Sequence, residues 1–112
     1  MVELALVVSI LLIIVFGIIE FGRLFSRYQV FQGAAREGAR VAAIRRTDWS
    51  AAVYDAALPY TPSNPPTAST TCTESNIGDP VAVGWPQTFQ ISIPLLPDFS
   101  TTVNIRGVFR CE

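Results

Sequence analysis

The sequence predicts an α+β fold in which one long N-terminal α-helix, hydrophobic at first and amphipathic beyond, packs by its C-terminal half against a small antiparallel β-sheet. Three observations carry this. Residues 4–19 hold no charge, helix-favouring sequence continues from them to Arg46 without a proline, and the stretch from Val81 onward alternates apolar and polar residues rich in β-branched and aromatic types. With 112 residues, 50% of them hydrophobic and crowded toward the N-terminus, the chain has room for one such domain.

The first element begins as a candidate membrane span. From Leu4 to Ile19 only Ser9 and Gly17 interrupt a run of Leu, Ile, Val, Ala and Phe. At about 1.5 Å per residue this run covers roughly 24 Å, a little short of a bilayer core of about 30 Å, so its flanks must contribute. Glu3 precedes the run and Glu20 closes it. Arg23 and Arg27 follow and no basic residue comes before, a bias that by itself would keep the C-terminal part in the cytoplasm. The cysteines point the other way. Cys72 and Cys111 lie far apart, without C-x-x-C or metal-ligand spacing. One disulfide between them would close a loop of roughly 40 residues, contribute about 3 to 4 kcal/mol, and place this half in an oxidising compartment; two free buried thiols are the alternative. The two arguments agree if a short basic leader preceded Met1 and has been removed.

The long helix is expected from Val2 to about Arg46, close to 70 Å at the helical rise. Phe21, Phe25, Tyr28 and Gln32 recur at spacings of three and four and predict its packing face, while Arg36 and Arg40 lie one turn apart with Glu37 between them. Small residues at Gly33, Ala34, Ala35, Gly38, Ala39, Ala42 and Ala43 leave room for a helix or a sheet to come close. The chain therefore divides into residues 1–46, the long helix with 1–22 hydrophobic; 47–59, a second short helix or bent continuation; and 60–112, a small disulfide-closed β domain. Asp48 can cap the short helix from Trp49 to Leu58, and Pro59 ends it. Residues 60–80, dense in Pro, Ser and Thr, read as an exposed loop. The segments VAVGW, TFQISIPLL and TTVNIRGVFRC read as strands, with Pro94, Pro97 and Asp98 supplying the last turn. Val103, Ile105, Gly107 and Phe109 fall on one face of the final strand, which should cover the helix.

Several function classes are poorly supported. Net charge is −1 and all eight basic residues are Arg, six of them between Arg23 and Arg46, so no basic surface suits a nucleic-acid backbone. The chain has no His and no Lys, and Asp48, Asp55, Glu74, Asp79 and Asp98 are scattered through caps and loops, which argues against an enzyme, a metal site or a cofactor.

The stretch VELALVVSILLIIVFGIIEFGRLF, the following AAREGARVAA, and a final strand pair whose Pro-rich turn leads to VFRCE together resemble the type IV pilins, and within them the TadE-like pilins and pseudopilins of the Tad/Flp system. The resemblance implies a precursor cut by a prepilin peptidase after a Gly. It also implies a subunit held in the cytoplasmic membrane before pilus assembly machinery builds it into an extracellular homopolymer through the N-terminal helices, with adhesion as a use. Two departures stand out: Leu4 where relatives carry Phe after the Glu, and Ser9 or its neighbours where a Pro often interrupts the apolar run, so less helix melting is expected here.

Glu3 gains a meaning from this. A carboxylate among aliphatic side chains costs several kcal/mol unless neutralised or paired, and no Arg precedes Arg23. In a staggered bundle a neighbour's α-amino group can reach it; a solvated position among lipid headgroups is the alternative. Glu20, Arg23, Arg36, Glu37 and Arg40 are further candidates for ion pairs within or between subunits, with an ordinary solvated helix face as the alternative. A monomeric membrane-anchored extracytoplasmic binding module, or a minor or tip pseudopilin that initiates assembly, are the competing functional readings.

Overall fold

The computed structural model describes residues 1–112. Helix α1 spans Val2–Ala43 without a break, in a molecule 74 Å long and 19 Å across in both other directions. Within the apolar run, which holds no proline, the Ser9 hydroxyl donates to the Ala5 carbonyl at 2.8 Å, and the helical ladder stays whole.

The helix stops at Ala43 instead of Arg46 because the backbone turns left-handed at Arg45, with φ 64°. The Arg45 N–H donates to the Ala42 carbonyl at 3.1 Å and the Arg46 N–H reaches back to Val41 at 3.4 Å, the Schellman closure in which glycine is the usual residue. Arg45 holds this conformation while its guanidinium donates twice to the Glu112 carbonyl, at 3.1 and 2.9 Å. The Glu112 N–H in turn donates to the Ala43 carbonyl at 3.1 Å, so the end of the chain satisfies an acceptor that a helix terminus leaves open.

Helix α2, Trp49–Ala57, folds back on α1 and buries Val53 against Gly38. Asp48 occupies the N-cap position, but its carboxylate accepts from Arg46 Nε at 2.9 Å and not from a backbone N–H of α2.

The sheet is antiparallel in the order β1-β2-β3, from β1 Thr67–Ala68, β2 Pro80–Ile91 and β3 Phe99–Arg110. Two expectations are corrected here. The segments VAVGW and TFQI form a single strand straight through Pro86, and the third strand comes from within the 60–80 segment that reads as bare loop. Backbone direction explains both. Even-numbered residues of β2 turn their polar groups to the outer edge: Ser69 N–H donates to Ala82 O at 2.8 Å, Asn64 Nδ2 to Pro86 O at 2.7 Å, and Thr88 N–H to Ser63 Oγ at 3.0 Å. The N–H that Pro86 lacks would face this edge and not β3, so the main ladder loses no bond. The loop is also tied down by Gln87. Only 5% exposed, its Oε1 accepts from the Ser63 N–H at 3.0 Å and from Trp85 Nε1 at 2.8 Å, and Pro62 and Pro66 of the same loop are buried.

The core lies between the sheet and the C-terminal half of α1. Phe31 is its centre, with the rings of Tyr60, Trp85 and Phe89 at 6.1, 6.1 and 6.0 Å. The covered stripe of α1 runs through Leu24, Tyr28, Phe31, Ala35, Ala39 and Ala42. Phe21 and Phe25, expected on the packing face, stack on each other at 6.5 Å and stay exposed. Phe109, expected on the covering face with Val103, Ile105 and Gly107, is 42% exposed, whereas Ile105 and Gly107 on the same strand are buried. At Gly107 the approach is closest: a Cβ there would run into the backbone of Ala35 and Arg36.

Cys72 and Cys111 form a disulfide, with their Cα atoms 5.4 Å apart. The Cys111 N–H donates to Asp79 O at 2.8 Å and the Gly78 N–H to Cys111 O at 2.7 Å. The disulfide therefore clamps the loop before β2 to the C-terminus, at the end of the molecule farthest from Met1.

Two outcomes follow from this packing. Gly107→Ala should lower stability by about 1–3 kcal/mol through overpacking against backbone that cannot rotate away, seen as a lower urea midpoint in mild detergent, whereas Gly33→Ala, which meets open space, should not. Replacing Cys72 and Cys111 together by Ser should remove roughly 3–4 kcal/mol, read from the same unfolding curves.

Candidate membrane and assembly surface

The sheet covers only part of α1. Strand β3 runs beside the helix in the same direction, with Thr101 near Phe21 and Leu24, Gly107 against Ala35, and Glu112 bonded at Ala43. Below Phe21 no residue of the helix is buried, and Ile13, Gly17 and Glu20 alone are partly covered. None of its most apolar window, long enough to cross a membrane, is buried within the molecule. Leu4, Leu6, Ile10, Leu11, Ile14 and Ile18 all stand open. Taking one such side chain out of water is worth about 1.5–3 kcal/mol, so a row of them needs either lipid or the apolar side chains of other helices around it.

The charged groups around this segment are unevenly partnered. The ion pairs of the chain join Glu37 to Arg40, Arg45 to Glu74 and Arg46 to Asp48. Of the candidate assembly residues, the fold thus brings together only Glu37 and Arg40, whose Nε donates to Glu37 Oε2 at 3.0 Å on an exposed face. Glu3, Glu20, Arg23 and Arg36 have no ion-pair partner within the chain. Glu3 sits in the first turn of α1, where the helix dipole favours a negative charge, among exposed aliphatic residues. Glu20 and Arg23 lie one turn apart without pairing, and Arg27 spends its charge on the Tyr60 ring, 5.4 Å from the centroid. No three His, Cys, Asp or Glu side chains converge as metal ligands would.

One feature of this region lies outside what periodicity can find. Between α1 and the sheet, Phe21, Leu24, Phe25, Tyr28, Phe89 and Val103 line a half-open apolar pocket of about 120 Å³. Its lining depends on the register of β2 against β3, Phe89 opposite Thr101, which no spacing within either strand specifies.

The hydrogen bond from Arg40 holds the Glu37 carboxyl below the usual glutamate range and raises Arg40 correspondingly. A lowered carboxyl pKa contributes stability that is present above the unfolded-state value and is lost as pH falls through the folded-state value. Because the pair is exposed, the contribution is small. Thermal melts of Glu37→Gln should therefore differ little from the parent at neutral pH, and that difference should vanish in acid below the lowered pKa.

No curated protein and no solved structure matches the chain. The family model described as TadE-like protein matches residues 1–40, the segment that comprises the uncovered apolar half of α1 and most of the small-residue stripe on which the sheet rests. Over that helix the chain is similar to TadE-like proteins.

Proposed function

We propose that the chain is a structural subunit, a pilin, that polymerises through its N-terminal helices into an extracellular Tad-type pilus used for adhesion. The observation that carries this reading is the uncovered apolar half of α1 with an unpaired carboxylate in its first turn. Before assembly the bilayer covers residues 2–19. In the filament the same surface is covered by the apolar segments of neighbouring helices, and the subunit leaves the lipid without exposing that surface to water.

Glu3 supplies the register. In a bundle of staggered parallel helices a neighbour's α-amino group lies beside the carboxylate and neutralises it, where slipped registers leave a bare charge among Leu and Val side chains. Glu20 and Arg23, one turn apart and unpaired, provide a second set of charges at the other end of the apolar run for complementary groups on adjacent subunits. Arg36 is similarly free, whereas Glu37 and Arg40 already satisfy each other and contribute mainly to the solvated face. Prepilin peptidase and the pilus assembly machinery are the partners that this reading requires, and the filament surface is formed by the sheet and the 60–80 loop.

Changing Glu3 to Ala tests the reading. Each 1.4 kcal/mol lost from a subunit contact lowers an association step about tenfold, so the variant should insert in the membrane as before while filaments seen by negative-stain microscopy become sparse or absent. Filaments of normal length and number would overturn the role of Glu3. Monodisperse, filament-free material from the parent chain under all conditions would instead favour the monomeric anchored binding module.

A further inference from the structure

The turn between β2 and β3 carries an apolar surface that neither the core nor the helix uses. Its sequence is SIPLLPD, residues 92–98. Leu95 is 82% exposed, and Leu96 and the adjoining Phe99 are about half exposed. Leu95 is held at φ 72°, a left-handed conformation that branched side chains rarely adopt, in a turn closed by the Leu96 N–H on the Ile93 carbonyl at 3.1 Å. The fold thus gives up backbone comfort to present a leucine outward.

The position of this turn along the molecule is set by the register. β3 climbs beside α1 from Thr101 near Phe21 to Glu112 at Ala43. In the opposite direction the hairpin continues past Thr101 through the pairs Gln90–Ser100 and Ile91–Phe99, which carries Phe99 about 6–7 Å further toward the N-terminal end of the helix. The turn lies beyond that. It therefore sits at or below the level at which α1 passes from Arg23 and Glu20 into its uncharged run.

We propose that this hairpin tip is a second membrane contact, resting Leu95, Leu96 and Phe99 in the headgroup and upper acyl region beside the point where α1 leaves the bilayer. The chemistry of the turn fits that depth and no greater one. Pro94 and Pro97 carry no N–H to desolvate, and the Leu96 N–H is already bonded within the turn. Ser92, Asp98 and Ser100 flank the leucines and stop at the water side, since irregular backbone is not tolerated in the hydrocarbon itself. Asp98 adds no attraction to anionic lipid, so the contact is apolar and is met by zwitterionic lipid. The inference rests on the reading of α1 as a membrane span and not on polymerisation.

The test places an indole at the tip. Full-length Leu95→Trp is reconstituted in phosphatidylcholine vesicles with and without bromine on the upper acyl chain, and flotation shows that it is membrane-bound. The native indoles are a built-in baseline, because Trp85 is buried on Phe31 and Trp49 opens α2 at the far end. The added indole should show blue-shifted emission that is lost in brominated vesicles and protected from acrylamide, with the parent chain little changed; Leu96→Trp gives a second reporter. A chain that does not float overturns the membrane reading of α1 and this contact with it. A floating chain whose added indole is open to acrylamide and indifferent to bromine overturns the hairpin contact alone, as does an indole shielded only when filaments form, which would identify a neighbouring copy as the occupant.

Discussion

The fold depends on how closely the sheet can approach α1, and that distance is set where the backbone of Ala35 meets Gly107. No side chain separates the two elements there. Around this point Ala34, Gly38, Ala39 and Ala42 keep the helix surface low, so that Val53 of α2 and Val83 of β2 close over Gly38 from the same side. The larger groups then have defined places: Phe31 fills the space on one side of the contact among Tyr60, Trp85 and Phe89, and the disulfide closes the other. Alanine is also the best helix former, so the stretch AAREGARVAA supports the helix and the close approach with the same residues.

A single helix thereby serves two environments with no joint between them. Above Leu24 its covered stripe passes from Tyr28 and Phe31 to the small residues Ala35, Ala39 and Ala42; below Phe21 none of its residues is buried. The change occurs within about one turn, where Glu20 and Arg23 stand among Phe21, Leu24 and Phe25. Here side chains of the helix and the sheet line the half-open apolar pocket. A domain whose sheet reached further down would bury residues that the surroundings of the apolar segment are able to cover instead.

Much of this is legible from residue pattern. The uncharged run, the long helix, the antiparallel sheet and the small-residue stripe all follow from local periodicity and composition, because each reports on a face that a single element must bury. What stays hidden depends on partners distant in sequence. Arg45 ends α1 in a conformation usually given to glycine, and the group that supports it is the carbonyl of Glu112. Pro86 reads as a strand break until the edge its missing N–H faces is known. Gln87 falls in the break between the two segments that read as strands, yet it is buried, with its oxygen accepting from Trp85 and from the Ser63 backbone. The charged candidates on α1 are similar: spacing places Glu37 and Arg40 on neighbouring turns, where they do pair, but places Glu20 and Arg23 equally well, and those do not.

The absence of a hinge has a mechanical consequence. Ser9 keeps the ladder intact where a proline would open it, and α1 runs unbroken from Val2 to Ala43, with Gly17, Gly22 and Gly33 all in regular helix. Orientation set at one end is therefore transmitted to the other. Tilting the apolar segment moves the sheet as a rigid lever, and at the far end the disulfide, the Glu112–Ala43 hydrogen bond and the Arg45 guanidinium prevent the lever from being lost in a loose terminus. For the same reason the hairpin tip cannot choose its height independently. Its distance from the apolar run is fixed by the Gly107–Ala35 contact and by the β2–β3 register, so a change of either would shift Leu95 relative to Glu20 and Arg23 even though no residue near the tip had been altered.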